Sequence, residues 1–257
     1  MEPVRLRPLG RSARLASGAT AQGPRRPEAP APAPGGCTVF LARLRDLRVH
    51  HAALLDHRET DRRSRFTSEA DRDRFTLGAV LLRMAVARSV EGASAVTVSR
   101  TCAQCGRQHG RPRLPGSPLH ASVSHSGDLV VVATTVAGPV GVDVELVGSA
   151  PTPHLLAAVC SSVERAFVGT PQEFFTYWVR KEAVLKATGE GMQREMTDVV
   201  VTRPDRPPRL LVIEGAETPT CSMTSITVNG YTGAVAVLAA RPVTFTFVDA
   251  GATLLDV

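Results

Sequence analysis

Two acidic residues alternate with valines in the stretch Gly141–Glu145, which reads G-V-D-V-E. Alternate side chains of a β-strand share a face, so Asp143 and Glu145 should point the same way, about 7 Å apart along the chain. Two carboxylates on one strand face can hold a hard cation such as Mg²⁺ and leave positions open for water and phosphate oxygens. The alternative is an exposed edge strand that carries its acids by chance.

A second candidate lies in Tyr177–Met192, which contains the only Trp of the chain, Trp178. Of the 30 basic residues, only Lys181 and Lys186 are lysines. As a helix, this stretch places Trp178, Glu182 and Lys186 on one face at i, i+4 spacing. An ammonium can deliver or give up a proton, whereas a guanidinium stays charged. The alternative is an ordinary amphipathic helix with one Glu–Lys pair on a solvated face.

Three further stretches carry groups suited to a ligand. S-H-S at Ser124–Ser126 places two hydroxyls and an imidazole at the end of a predicted strand. G-R-P at Gly110–Pro112 fixes an extended backbone that could line a ligand groove. The cluster Arg62, Arg63 and Arg65 could hold a phosphate. A structural histidine and a merely solvated basic cluster are the alternatives.

A C-x-x-C pair, Cys102 and Cys105, has His109 nearby and suggests a zinc site. A closed structural zinc site needs four ligands, and the sequence has no second C-x-x-C or His pair after it. The preferred interpretation is a hairpin loop whose thiols bind no metal.

These residues must be positioned by the successive parts of one chain. Residues 1–36 are rich in Arg, Pro, Ala and Gly and are predicted to be a disordered tail, with an organelle transit peptide as the alternative. Residues 37–138 form a predicted N-terminal half, and residues 139–257 form a predicted C-terminal half. The fold class predicted is α+β, with two pseudo-symmetric halves that each have a long helix packed on a mainly antiparallel sheet.

The pattern also places individual elements. A first strand is predicted from Cys37, and a buried helix is predicted to begin at Ser68 and Glu69. The organising helix is predicted over Gln172–Thr188, with Gly189 ending it. Asn229-Gly230 predicts a hairpin turn between two late strands.

Composition excludes several classes of protein. No apolar run approaches the 18 residues of a membrane helix, so a soluble, cytoplasmic protein is predicted. The five cysteines follow no secretory signal, which favours free thiols. The net charge is +6, but residues 1–36 hold six Arg against two Glu, so the remainder is only weakly basic. An Arg-rich nucleic-acid-binding protein, the rival hypothesis, would need a basic stripe with aromatic residues, and aromatic residues make up only 4% of the chain.

The order of the motifs resembles one enzyme family. G-V-D-V-E followed by W-V-R-K-E-A-V-L-K resembles the paired signature of the 4′-phosphopantetheinyl transferases, of the larger surfactin-synthetase-activating type. S-V-S-H-S-G resembles an upstream motif of that family, as does R-F-T-S-E-A-D-R-D-R-F-T-L-G-A-V-L-L-R, and G-R-P stands where the family has Gly-basic-Pro. Each motif alone is weak evidence for this family, but five motifs in the family's order are specific evidence for it.

The resemblance implies a monomer that binds coenzyme A in the cleft between its halves. It assigns Mg²⁺, with Mn²⁺ as an alternative, to three carboxylates, and catalysis to two residues of the organising helix. Asp143, Glu145 and Glu182 would be the metal ligands, with Glu182 also the base and Lys186 at the phosphates. Further coenzyme A contacts would come from Arg62, Gly110, Arg111, Pro112, Ser124 and His125.

The implied reaction transfers the 4′-phosphopantetheine arm of coenzyme A to a serine of an acidic apo acyl or peptidyl carrier protein. Neither nucleic acid nor membrane is an expected partner. Two departures from the family concern the nucleotide end: Glu59 replaces a basic residue, with Arg58 beside it, and Phe75 replaces a small hydroxyl residue, with Thr76 next to it. A non-catalytic member that binds coenzyme A or a carrier is the alternative within the family.

Overall fold

The computed structural model describes residues 35–89, 97–102 and 105–254. The predicted disordered tail, apart from its last two glycines, lies outside these residues. Five α-helices occur in the described residues: α1 His57–Ser64, α2 Glu69–Ser89, α3 Pro153–Val159, α4 Ser162–Arg165 and α5 Pro171–Thr188. The strands are β1 Cys37–Arg43, β2 Ser99–Thr101, β3 Gln108–Arg113, β4 His120–Ser126, β5 Leu129–Thr135, β6 Val140–Leu146, β7 Val199–Val201, β8 Leu210–Ile213, β9 Cys221–Val228, β10 Tyr231–Leu238 and β11 Phe245–Asp249.

The first sheet has the strand order β11-β1-β5-β4. β5 pairs in antiparallel with both β1 and β4, whereas β11 pairs with β1 in parallel. Helix α2 packs on this sheet and contributes Leu77 and Leu81 to a core that also contains Phe40 and Val132. The predicted helix is confirmed, and it begins at Glu69.

The second sheet has the strand order β6-β10-β9 and is antiparallel throughout. Helix α5 packs on it and buries Phe174 and Val184 in one core with Ala234 and Ala236. The predicted hairpin is confirmed, because Asn229-Gly230 connects β9 to β10. Gly230 has a φ of 79°, the left-handed conformation that this turn needs and glycine adopts readily.

Local sequence explains both ends of α5. Thr170 accepts a hydrogen bond from the Glu173 amide, while the Glu173 carboxylate accepts one from the Thr170 amide, which forms a capping box. Pro171 follows the cap at a position where its missing N–H costs nothing. At the other end Gly189 has a φ of 81° and closes the helix, as predicted.

The chain therefore has a mixed α+β fold in which helices pack on mainly antiparallel sheets, as predicted. Its division into pseudo-symmetric halves at residues 138 and 139 stays a prediction. One strand crosses that division, because β11 comes from the end of the chain and pairs with β1. None of the helices in the described ranges is both long enough and apolar enough to cross a bilayer.

The two large sheets share one core, and a polar link at its rim joins them. Val131 of the first sheet and Val142 and Val235 of the second are fully buried in the shared core. At the rim, Asp128 accepts hydrogen bonds from the Arg43 guanidinium, at 2.8 Å, and from the Tyr231 hydroxyl. This link ties the β4–β5 turn to β1 and β10.

Helix α5 crosses β6 at backbone contact distance, at Gly141. A Cβ atom at this position would collide with the Ala183 carbonyl oxygen, and it would lie 2.6 Å from the Ala187 nitrogen and 2.9 Å from the Lys186 Cβ. The glycine of G-V-D-V-E is therefore required for the helix to lie against the strand.

Gly141→Ala should destabilise the protein by about 3 kcal/mol or more, because the added methyl group forces α5 away from β6. Gly148→Ala is the matched control, since its Cβ would lie 3.9 Å from the Phe175 ring, an ordinary contact. Urea denaturation followed by circular dichroism measures both. Equal unfolding midpoints for the two variants would show that the close approach is not a constraint.

Asp128 should make stability depend on pH. The hydrogen bond from Tyr231 and the charge of Arg43 lower its pKa below the ordinary 3.8 despite partial burial. A lowered folded-state pKa stabilises the protein above the unfolded-state pKa, and this stabilisation is lost as the pH falls through the folded-state value. Asp128→Asn should lower the Tm at pH 7, and the difference from wild type should shrink below about pH 3.8.

Thermal unfolding across that pH range checks the effect of Asp128→Asn. Asp205→Asn is the control, because Asp205 forms exposed ion pairs with Arg203 and Arg206. A Tm difference that stays constant with pH would contradict the assigned role of the Asp128 charge.

Candidate active site

Strand β6 presents both acids of G-V-D-V-E to neighbouring strand β4. Asp143 is buried and accepts a hydrogen bond from the Ser124 hydroxyl at 2.9 Å. Glu145 is less buried and accepts one from the Ser126 hydroxyl at 2.7 Å. The two carboxylates therefore share a strand face, as the alternation in the sequence predicts.

Helix α5 brings an ammonium to the same place. The Lys186 Nζ donates hydrogen bonds to Asp143 Oδ1 at 2.7 Å, to the Val142 carbonyl oxygen at 3.0 Å and to Ser124 Oγ at 3.2 Å. One turn earlier on the same helix, Glu182 is half-buried. The structure thus joins residues that are remote in sequence into one charged cluster.

The electrostatics confirm that these acids influence one another. Burial raises the pKa of Glu182, the charges of Asp143 and Glu145 raise it further, and Lys186 offsets part of the shift. Burial likewise raises the pKa of Glu145, where the bond from Ser126 opposes the shift and the charge of Asp143 adds to it. Ionising both Glu145 and Glu182 is therefore costly without additional positive charge.

A divalent cation fits this donor set. Asp143 Oδ2 is buried and has no hydrogen-bond partner, and carboxylate oxygens are the ligands that Mg²⁺ prefers. As they stand, however, no three His, Cys, Asp or Glu side chains within the described ranges are grouped closely enough to hold one ion. The assignment of Asp143, Glu145 and Glu182 as metal ligands therefore stays a prediction.

The S-H-S stretch lies at the end of β4 beside the cluster. Ser124 is buried and uses its hydroxyl within the protein, so the predicted contact with coenzyme A would require it to give up one of its bonds. His125 is exposed at the strand end. Partial desolvation lowers the pKa of its imidazole, and the positive charges of Lys186 and Arg74 lower it further. A neutral imidazole is suited to donate or accept one hydrogen bond at a phosphate.

The predicted nucleotide-end residues line a separate region around β3. Arg62 donates to the Gln108 carbonyl oxygen at 3.0 Å and lies over the Phe75 ring at 5.4 Å. Both residues border a cavity of about 890 Å³. Five guanidinium groups belong to the lining of this cavity: Arg58, Arg62, Arg65, Arg100 and Arg107.

Strand β3 runs from this cavity to the end of α5. Gly110 allows close pairing with β2, since a Cβ there would lie 3.1 Å from the carbonyl oxygens of Arg100 and Thr101. Arg111 donates to the Ala187 carbonyl oxygen at 3.2 Å, near the end of α5, and Pro112 is buried beside it. Three residues of strand, roughly 10 Å, separate the cavity residue Gln108 from Arg111.

The charge of Glu59 is paired with a residue that sequence reasoning missed. Glu59 forms an ion pair with Arg83 of α2 at 2.6 Å, and Arg83 also lies 3.7 Å from Asp56. Its negative charge is therefore balanced from within the protein. No sequence signal identifies Arg83, because the two residues lie on different helices.

Comparison with known proteins identifies the family. Residues 139–236 match the model of the ACPS family, the 4′-phosphopantetheinyl transferase superfamily. HetI of Nostoc, named a 4′-phosphopantetheinyl transferase, is 30% identical over 182 residues, which cover 66% of this chain and 72% of HetI. This chain belongs to the 4′-phosphopantetheinyl transferase superfamily. The protein slr0495 of Synechocystis, provisionally named a 4′-phosphopantetheinyl transferase, is 29% identical over 165 residues, which cover 58% of this chain and 63% of slr0495.

The family match and the geometry overlap in one part of the site. The matched residues of this superfamily member include Asp143, Glu145, Glu182 and Lys186, and they end before β11. The match begins after the candidates at Arg62, Gly110, Arg111, Pro112, Ser124 and His125, so their roles stay predictions. The chain spans less than two thirds of the length of slr0495.

Lys181, the other lysine of this superfamily member, does not belong to the site. Lys181 is fully buried and forms an ion pair with Glu164 at 2.6 Å. Its Nζ also donates to the carbonyl oxygens of Val159, at 2.8 Å, and Met196, at 3.1 Å. The two lysines therefore have different roles: Lys181 stabilises the fold, and Lys186 lies in the carboxylate cluster.

The C-x-x-C pair, Cys102 and Cys105, lies at the turn after β2. Cys102 is half-buried and Cys105 is exposed. The side chain of His109 lies outside what the structure describes, as do residues 103 and 104. The choice between a metal site and a plain hairpin loop stays a prediction.

Lys181→Met should destabilise the protein by about 3–5 kcal/mol, because it leaves the Glu164 carboxylate buried without its partner. Adding Glu164→Gln should recover part of that loss, since no buried charge then remains and the amide can still accept from Ser161 as Glu164 does. A double-mutant cycle of unfolding free energies measures the coupling. Additive losses would contradict a direct ion pair.

Proposed function

We propose that the protein transfers the 4′-phosphopantetheine arm of coenzyme A to a serine hydroxyl of an apo acyl or peptidyl carrier protein. Adenosine 3′,5′-bisphosphate is the second product. The observation that carries this proposal is the contact between Lys186 Nζ and Asp143 Oδ1 within a cluster that also includes Glu145 and Glu182. Family membership supplies the reaction class.

The ligands proposed for Mg²⁺, or for Mn²⁺ in its place, are Asp143, Glu145 and Glu182. When bound, the cation neutralises negative charge on the pyrophosphate oxygens. Two observations support this assignment: Asp143 Oδ2 has no partner, and the pKa values of Glu145 and Glu182 are raised. A bound cation would give the oxygen a partner and stabilise the ionised glutamates.

Glu182 is the proposed base for the carrier serine. Its raised pKa brings the carboxylate closer to the range in which a base works well near neutral pH. Its two oxygens allow one to accept the proton, directly or through a water molecule, while the other serves as a ligand. Cation binding lowers its basicity, which favours the route through water.

The bonds that change lie at the β-phosphorus of coenzyme A. The serine oxygen forms a bond to this phosphorus, its proton passes to Glu182, and the bond to the nucleotide phosphate breaks. Lys186 neutralises the charge that develops on the departing phosphate. It already donates to Asp143, Val142 and Ser124, so its ammonium is held in place before the substrate arrives.

The nucleotide end of coenzyme A is assigned to the arginine-lined cavity. Arg62 borders this cavity, Arg111 of Gly110–Pro112 contacts the end of α5, and the charge of Lys186 acts on His125. The volume of about 890 Å³ suits a ligand of nucleotide size. Gln108 of the cavity and Arg111 lie roughly 10 Å apart along β3, so one extended ligand could contact both residues.

The larger surfactin-synthetase-activating type is the proposed subtype, since one chain carries two helix-on-sheet units. The protein is also proposed to be a monomer in the cytoplasm. An acidic carrier protein is the proposed partner, because the net charge of the chain is positive, with most of it in residues 1–36.

The test is to incubate the protein with coenzyme A, Mg²⁺ and a panel of apo carrier proteins and to weigh the products. The expected result is a carrier that gains one phosphopantetheine arm on serine. Glu182→Gln and a chelator should each abolish the gain, and Lys186→Met should slow it by about 100- to 1000-fold, as for loss of a charge-stabilising donor.

Glu217→Gln is the control, because it removes an exposed carboxylate far along the chain from the cluster. Its rate should equal that of wild type. Undiminished transfer by Glu182→Gln and in the presence of chelator would refute the mechanism. Binding of coenzyme A without transfer to any carrier would favour the non-catalytic alternative.

A further inference from the structure

Strands β4 and β6 belong to different sheets and are joined by side chains. Three alternate serines of β4, which we name the serine ladder, each accept a hydrogen bond from a backbone amide of β6. The pairs are Ser122 with Val142 at 3.1 Å, Ser124 with Val144 at 3.3 Å, and Ser126 with Leu146 at 3.0 Å. The spacing of two residues on each strand keeps the strands in register.

Two members of the serine ladder make a second bond. A hydroxyl has one donor and two acceptor positions, so accepting from an amide leaves its proton available. Ser124 donates this proton to Asp143 Oδ1 at 2.9 Å, and Ser126 donates it to Glu145 Oε2 at 2.7 Å. Each serine therefore holds one amide and the carboxylate of the residue just before it.

Ser124 uses its full hydrogen-bonding capacity in this arrangement. It donates to Asp143 and accepts from both the Val144 amide and the Lys186 ammonium. In the serine ladder, then, Ser124 holds the acid and the ammonium of the cluster together.

We propose that Ser126 and Ser124 are positioning residues that orient Glu145 and Asp143 toward the cation, an inference that rests on the proposed function. Each serine fixes one carboxylate oxygen and leaves the other for a ligand. At Asp143 this second oxygen, Oδ2, is the buried atom without a partner. Partners that hydrogen-bond a ligating carboxylate from behind set its orientation and raise metal affinity.

The chain contains its own control for this inference. Ser122 makes the same bond to a β6 amide, but the residue that precedes its partner is Gly141, which has no side chain. Ser122→Ala therefore removes a link between the strands without touching a carboxylate. Ser126→Ala removes a link of the same kind together with the contact to Glu145.

The experiment measures Mn²⁺ binding to the full chain by titration calorimetry and by the loss of the free-ion electron paramagnetic resonance signal, without coenzyme A. Thermal unfolding is recorded for the same samples. Both alanine variants should show similar decreases in Tm. The Kd for Mn²⁺ should rise about 10-fold or more in Ser126→Ala, as for other partners of metal ligands, and stay at the wild-type value in Ser122→Ala.

Ser126→Thr keeps the hydroxyl and should restore tight binding, which separates orientation from a general loss of structure. Equal Mn²⁺ affinity in Ser126→Ala and Ser122→Ala, with wild type binding normally, would overturn the positioning role and leave the proposed function intact. If wild type bound Mn²⁺ no better than Glu182→Gln, the cation site itself would fail, and the positioning role with it.

Discussion

The contact between the Lys186 ammonium and the Asp143 carboxylate is the interaction on which the site depends. It crosses from α5 to β6, and it is short because Gly141 lets the helix lie directly on the strand. A buried carboxylate without such a partner would be strongly destabilising. The glycine and the acid of G-V-D-V-E therefore act together, one by removing bulk and the other by supplying charge.

This contact balances only part of the negative charge of the three neighbouring carboxylates. Glu145 and Glu182 remain with raised pKa values, so the protein keeps acids in a place where their ionisation is unfavourable. Anchors on the other side of α5 allow it to do so. Lys181 binds Glu164 and two backbone carbonyl groups, and Arg180 binds the carbonyl oxygens around Arg203. The helix is thereby fixed by contacts that do not involve the site.

Local sequence patterns predict which residues belong to the site, whereas contacts between distant elements determine what each residue does there. The alternation of Asp143 and Glu145 and the glycine that ends α5 could be recognised in the sequence because strand and helix geometry have fixed periods. Helical spacing places Lys186 on a face with Glu182, but the burial of Lys181 could not be predicted, since its partner Glu164 comes from another helix. The pairing of β11 with β1 could not be predicted either, because it joins the two ends of the described chain.

Register between β4 and β6 is the remaining constraint, and side chains rather than a backbone ladder set it. A shift of one residue would turn the serine hydroxyls away from β6, because strand side chains alternate between faces. A shift of two in one direction would place Ser126 opposite Asp143 and leave Glu145 without its donor, and a shift of two in the other would leave Ser126 without an acid. Only the observed register gives each acid one serine and leaves Gly141 opposite the third. The alternation S-x-S-x-S in one strand therefore matches G-x-D-x-E in the other, and the two motifs of this chain describe one interface.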